Sequence, residues 1–98
     1  MTTAIDPITL EVVTEGLISI VREMRATVFH TARSVAIYEA KDFSCGLFDH
    51  ASQVVAQSED IGAHVVPLPW SVRSAMEDFG DTLAPDDVIL LNDPYRGG

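Results

Sequence analysis

A length of 98 residues suits about one domain, and a hydrophobic content of 47% is typical of a folded globular chain rather than a disordered one. Six Lys and Arg residues against fifteen Asp and Glu residues give a net charge of −9, which opposes nucleic acid or an anionic membrane as a partner, because both bind clustered basic side chains. A single cysteine, no secretory leader pattern and no long apolar stretch predict a soluble chain in the reducing cytoplasm.

The first predicted element is a long amphipathic helix from Pro7 to about Arg33. Its apolar residues recur in steps of three and four and form one stripe, made of Leu10, Val13, Leu17, Ile20, Val21, Met24 and Val28. Asp6 is a suitable N-cap, and Pro7 fits the first helical position because its missing N–H would be unpaired there. Such a helix is about 40 Å long, whereas a compact domain of this size has a radius of gyration of about 13 Å. We therefore expect it to extend beyond its domain and to pack against more protein.

A β-hairpin is predicted next. Apolar and small residues alternate over 43–48, turn-forming residues occupy 49–52, and a second short strand follows at 53–57. Residues 58–64 are polar, contain a glycine and indicate a loop.

A second helix and a last strand complete the predicted fold. Pro67 and Pro69 open the helix, and Gly80 ends it. After a turn at 84–87, residues 88–91 are wholly apolar, which is typical of a short strand buried on both faces. The predicted fold class is α/β (α+β), in the order α-β-β-α-β, without internal repeats or linkers.

Few side chains before the last turn are candidates for chemistry. Asp42 precedes the first hairpin strand and is either a metal ligand or base, or a plain strand-edge turn residue. His64 is either a ligand or general base, or a loop histidine. His30 and His50 are weaker candidates. Cys45 lies in an alternating apolar run, which favours a small buried hydrophobe over a nucleophile.

The last seven residues, Asn-Asp-Pro-Tyr-Arg-Gly-Gly, predict a tight turn. Asn92 and Asp93 can organise an Asx-type turn, and two glycines allow backbone to approach a ligand closely, although a purely structural turn explains them as well. Neither phosphate-loop spacing is present. Because this turn leads into no further element, we expect the chain to be the first part of something larger. No three candidates have the ligand spacing of a catalytic metal site.

Four segments, in the same order, resemble the start of the hydantoinase B/oxoprolinase family: residues 6–13, 42–49, 55–57 and 91–98. This family includes B subunits of ATP-dependent N-methylhydantoinases, the C-terminal half of 5-oxoprolinase, a lactamase subunit and the large subunits of acetone and acetophenone carboxylases. Its members are several hundred residues long. The resemblance implies that residues 1–98 are the N-terminal, incomplete portion of such a domain.

The resemblance also implies a divalent metal site. Asp42 corresponds to one of its ligands, and the remaining ligands would lie beyond Gly98. Asn92 and Asp93 would lie beside the metal and help to orient those ligands. His64 matches a histidine common in the family and is a candidate catalytic residue, although the usual His-Leu-Gly is replaced by His-Val-Val here. Zinc, manganese or iron would suit one carboxylate with at least two histidines, whereas calcium would not.

The implied activity needs a second subunit. A hydantoinase A-type partner would use ATP to phosphorylate the carbonyl oxygen of a small cyclic amide, hydantoin or ketone, and the metal of the complete B-type subunit would support hydrolysis of the C–N bond. The 98-residue chain alone would then be inactive and would not bind metal tightly. The alternatives are part of a related ketone carboxylase subunit and a non-catalytic assembly piece that docks through its first helix.

Overall fold

A computed structural model describes residues 4–59 and 66–97 and confirms the mixed α/β fold. Along the chain, its elements are α1 (Pro7–Thr31), α2 (Val35–Tyr38), β1 (Gly46–Phe48), β2 (Val54–Gln57), α3 (Leu68–Phe79) and a 3-10 turn (Pro94–Arg96). The long helix, the hairpin and the second amphipathic helix occur in the predicted order. The sequence pattern did not reveal α2, because four residues are too few to show helical periodicity.

The start of α1 agrees with the proline signal in the sequence. The backbone carbonyl of Asp6 accepts a hydrogen bond from the Leu10 N–H at 2.9 Å. The carboxylate of Asp6 accepts a bond from the Thr9 hydroxyl at 3.3 Å and caps no backbone N–H, so Asp6 flanks the helix without acting as a side-chain cap. At the other end Ala32 adopts extended backbone, and the helix stops two residues short of the predicted boundary.

The core lies where the middle of α1 packs on the hairpin. Val21 is 1% exposed, and it forms a cluster with Cys45 and Ala56. Further apolar side chains pack around this cluster and are partly buried, namely Leu17, Val28, Phe43 and Leu47. Of the stripe predicted from the sequence, Leu17, Val21 and Val28 therefore face the core, whereas Ile20 and Met24 in the same turns are exposed.

The N-terminal part of α1 has a different environment. Its apolar side chains, and the one just before it, are at least half exposed: Ile5, Ile8, Leu10, Val12 and Val13. The expectation that α1 extends beyond the protein that covers it is confirmed for the part of the chain that the structure describes.

No helix among the described residues is both long enough and hydrophobic enough to cross a bilayer.

The hairpin is antiparallel and carries an irregularity in register between Leu47 and Phe48. Its turn is organised by Asp49, whose Oδ1 accepts hydrogen bonds from the N–H groups of Ala51 and Gln53, both at 2.9 Å. Such a carboxylate-to-backbone turn is a common use of aspartate between two strands.

The segment after α3 departs from the prediction. The turn at residues 84–87 forms, because the Asp87 carboxylate accepts a bond from the Ala84 N–H at 2.9 Å. Residues 88–91 form no strand, and Val88 and Leu90 are 85% and 93% exposed. The prediction of a buried strand here is wrong, because a strand needs a neighbour, and in the described residues the sheet contains only β1 and β2.

Candidate functional site

Asp93 organises the terminal turn. Its Oδ1 accepts a hydrogen bond from the Tyr95 N–H at 3.0 Å, and its backbone carbonyl accepts one from the Arg96 N–H, also at 3.0 Å. Pro94 occupies the first position of the 3-10 turn, and Gly97 follows in the left-handed region with φ of 87°. The Asx turn predicted from the sequence is therefore confirmed at Asp93.

The backbone of this turn lies directly on α3. The hydroxyl of Ser71 donates a hydrogen bond to the Gly97 carbonyl, and the hydroxyl of Ser74 donates one to the Arg96 carbonyl. A Cβ atom at Gly97 would lie 2.8 Å from the carbonyl carbon of Trp70 and 2.9 Å from the nitrogen of Ser71. Only glycine permits so close an approach between two backbone segments.

An ion pair adds a third attachment between the turn and α3. The guanidinium of Arg96 donates two hydrogen bonds to the Asp78 carboxylate, at 2.7 and 3.0 Å, in a fork-to-fork arrangement. Glu77 lies 3.5 Å from the same guanidinium. The hydrogen bond from Arg96 lowers the pKa of Asp78, and the same bond raises the pKa of Arg96. The pair is exposed to solvent, so its value lies in fixing geometry more than in adding stability.

An open groove of about 590 Å³ lies between α3 and the turn. Trp70 and Tyr95 stand on its border and are 60% and 96% exposed. The Arg73 guanidinium lies over the Trp70 ring, 5.4 Å from its centroid. The volume is within the usual range for small-molecule sites, but such sites bury most of their ligand and this groove does not enclose one.

Asp42 lies in the segment that joins α2 to β1. Its backbone N–H donates to the Ala36 carbonyl at 3.0 Å, which ties the residue to α2. The preceding residue, Lys41, has a positive φ of 54°, and its ammonium lies 5.6 Å from the centre of the Phe29 ring. Asp42 is an exposed residue shortly before the first hairpin strand.

The structure anchors the predicted site residues to different elements. Asp42 is held at α2, whereas Asp93 is held in the turn on α3, and the exposed Asn92 leads into that turn. His64 lies outside the described residues. The prediction that Asn92 and Asp93 lie beside a metal bound by Asp42 therefore stays a prediction.

The remaining candidates have ordinary environments. Cys45 is buried, as predicted, and its N–H donates to the Ser58 hydroxyl at 2.9 Å, which joins the start of the hairpin to its end. His30 is exposed and packs edge-on against Phe29, with ring centroids 5.1 Å apart. His50 is exposed in the hairpin turn.

The described residues contain no complete metal site. Within residues 4–59 and 66–97, no three His, Cys, Asp or Glu side chains come together in a group that could hold a metal ion. A catalytic metal normally takes three protein ligands. Asp42 could contribute one carboxylate, and the other ligands would have to come from other residues.

The residues of α3 that hold the turn were not among the sequence candidates: Ser71, Ser74 and Asp78. A signal for them exists, because they recur in steps of three and four and therefore share one face of the helix. That spacing marks a polar stripe, but it does not reveal which segment the stripe contacts.

Comparison with known proteins gives a consistent set of relatives. Residues 6–98 match the protein family described as hydantoinase B/oxoprolinase. The chain is 42% identical to the beta subunit of caprolactamase from Pseudomonas jessenii, a match that covers 95% of this chain and 16% of that protein. It is 36% identical to the B subunit of a putative D-/L-hydantoinase from Pseudomonas sp. strain NS671, again over 95% of this chain and 16% of that protein.

A third relative is a longer protein. The chain is 35% identical to 5-oxoprolinase of Dictyostelium discoideum, over 100% of this chain and 8% of that protein. The chain therefore spans about a sixth or less of the length of these curated relatives. No solved structure matches the chain significantly.

Proposed function

The chain belongs to the hydantoinase B/oxoprolinase family, and from this membership we propose that it is the N-terminal part of a subunit that hydrolyses a C–N bond of a cyclic amide in an ATP-dependent reaction. The observation that carries the proposal is the family match over residues 6–98, together with 42% identity to a caprolactamase subunit. Since the chain spans 16% of that relative, the proposed activity is that of the complete subunit.

The names of the relatives favour hydrolysis over ketone carboxylation. Caprolactamase, 5-oxoprolinase and hydantoinase are all names of enzymes that open cyclic amides. Two of these names refer to a beta or B subunit, which supports a second subunit as the partner of this one. We propose that this partner is of the hydantoinase A type and carries the ATP site.

The reaction can be written in three balanced steps. In the partner, the carbonyl oxygen of the cyclic amide attacks the terminal phosphorus of ATP, and ADP leaves. Water then adds to the carbon that bears the phosphorylated oxygen, and the C–N bond breaks as a proton passes to the nitrogen, which gives an amine and an acyl phosphate. A second water hydrolyses the acyl phosphate to a carboxylate and inorganic phosphate. Phosphorylation is useful because it turns a stable amide into an electrophile with a good leaving group.

Asp42 is the residue of this chain that we propose as a metal ligand. Its support is its position in an exposed segment before the hairpin, which resembles the family's ligand-bearing block. A divalent zinc, manganese or iron ion would supply Lewis-acid chemistry in the complete subunit. Asn92 and Asp93 are proposed as neighbours of that site and His64 as a catalytic residue, all from the resemblance.

The proposal is tested with the complete subunit co-expressed with its A-type partner. We expect ATP-dependent ring opening of at least one of caprolactam, 5-oxoproline and hydantoin, with one ADP formed per ring opened. The ring-opened product and ADP are measured together. Replacing Asp42 by alanine should lower both the bound metal and the hydrolysis rate, whereas the partner's own ATP turnover should remain.

Three results would count against the proposal or a part of it. Absence of ring opening with all three substrates, in an assembly that still hydrolyses ATP, would exclude cyclic amide hydrolysis. Incorporation of labelled bicarbonate into acetone or acetophenone by the same assembly would identify it as a ketone carboxylase instead. Unchanged metal content in the Asp42→Ala assembly would remove Asp42 from the ligand set.

A further inference from the structure

One face of α3 contacts the terminal turn, which comprises residues 92–97. Ser71, Ser74 and Asp78 share this face, and each makes a hydrogen bond to residue 96 or 97. Ser71 and Ser74 bind backbone carbonyls, whereas Asp78 binds the guanidinium of Arg96 at two points. Since all four bonds reach the same short segment from one helix, the turn is held in position and in orientation.

The side of the turn that faces away from α3 is accessible. The helix contacts the carbonyls of Arg96 and Gly97, while the side chain of Tyr95 projects into solvent at 96% exposure. Within the turn itself, Oδ1 of Asp93 accepts a hydrogen bond from the Tyr95 N–H. A segment that would otherwise be a mobile, glycine-containing loop is thus fixed from behind by α3.

We infer that α3 is the positioning element of the candidate site, with Ser71, Ser74 and Asp78 as positioning residues that act through the Asn92–Gly97 turn. This inference rests on the proposed function, because it takes the turn to border the reacting groups. Reactive groups must be held within a fraction of an ångström, and a displacement of about 1 Å can lower a rate on the order of a hundredfold. Anchoring by a helix meets that requirement better than a free loop does.

The test uses the complete subunit assembled with its partner and compares Asp78→Asn with Asp81→Asn. Asp81 is exposed just beyond α3 and makes none of the described contacts with the turn, so it is a matched control. In Asp78→Asn we expect amide hydrogen exchange in residues 92–97 to be about three- to fivefold faster, because the charge-assisted pair is lost.

Kinetics provide the second measurement. In Asp78→Asn we expect kcat for cyclic amide hydrolysis to fall about tenfold, with KM within about twofold of wild type, because a displaced turn affects the transition state more than binding. Asp81→Asn should change neither quantity. Asp78→Glu keeps a carboxylate for Arg96 and should recover most of both the slow exchange and the rate.

Each outcome decides a separate point. Faster exchange with an unchanged kcat would overturn the positioning role, as would a loss of rate without any change in exchange. A failure of Asp78→Glu to recover the rate would also count against it. If the wild-type assembly opened no cyclic amide, both the proposed function and the positioning role would be refuted. The exchange data would still show whether Asp78 holds the turn.

Discussion

Gly97 contacts α3 more closely than any residue with a side chain could. Its φ of 87° belongs to the left-handed region, and a Cβ atom would meet backbone atoms of Trp70 and Ser71 within 3 Å. Those atoms belong to a helix and cannot move aside as a flexible side chain would. The requirement for glycine at this position therefore has two independent causes, backbone conformation and close contact.

Gly97→Ala should release the turn from α3. The left-handed conformation alone costs alanine about 1–2 kcal/mol, and the steric contact adds to this cost. We expect faster amide exchange at Tyr95 and Arg96, measured by NMR on the 98-residue chain. The matched control is Gly16→Ala in α1, where nothing lies within 4 Å, and where alanine should stabilise the helix by about 0.5–1 kcal/mol. Equal exchange rates in the two variants would show that Gly97 is not under this constraint.

At the scale of elements, α1 has two environments along one helix. Its middle packs on the hairpin through Val21, whereas Val12 is 67% exposed. Both residues are valines in the interior of the same helix, so they differ in packing and not in intrinsic helix propensity. Exposed apolar faces of this kind are typical of interaction surfaces.

Val21→Ala should destabilise the chain by about 2 kcal/mol, because it removes two fully buried methyl groups and leaves a cavity. Val12→Ala should have no destabilising effect, since its side chain is in water and alanine is the better helix former. Urea unfolding followed by circular dichroism measures both changes. Similar destabilisation by the two substitutions would mean that the Val21 cluster does not hold the helix.

Elements of this chain were predictable where a local pattern determines them. Pro7 and the three-and-four spacing located α1 to within two residues of its end, and Asp93 was recognised as a turn former. The structure of residues 88–91 was not predictable, because apolar composition indicates burial but does not show whether a neighbouring strand exists. The contacts of Ser71 and Asp78 with the turn join residues 26 and 18 positions apart, so they depend on tertiary packing that no local pattern encodes.

At the scale of the whole molecule, the buried core is small for the hydrophobic content. Among the described residues the buried apolar side chains are Val21, Cys45 and Ala56. The radius of gyration is 15.3 Å, against about 13 Å for a compact domain of this length. Much of the apolar surface is therefore available for contact with other protein, which agrees with a chain that spans 16% of its caprolactamase relative.

Metal binding also depends on how many ligands the whole chain brings together. Asp42 offers one carboxylate, and no group of three ligands exists among the described residues, so the 98-residue chain should show no stoichiometric zinc site of submicromolar affinity. Calorimetric titration of the isolated chain with zinc measures this, and Asp42→Ala serves as the control with the same weak isotherm. A tight, stoichiometric transition that disappears in Asp42→Ala would refute the prediction.

The contact between Gly97 and Trp70 has a practical consequence. Trp70 is the single tryptophan of the chain, its backbone touches the turn, and its indole lies 5.4 Å from the Arg73 guanidinium. Indole emission is sensitive to local polarity and to neighbouring charged groups. The 98-residue chain therefore carries its own optical reporter at the junction of α3 and the turn, and seating or release of the turn can be followed by intrinsic fluorescence without a label.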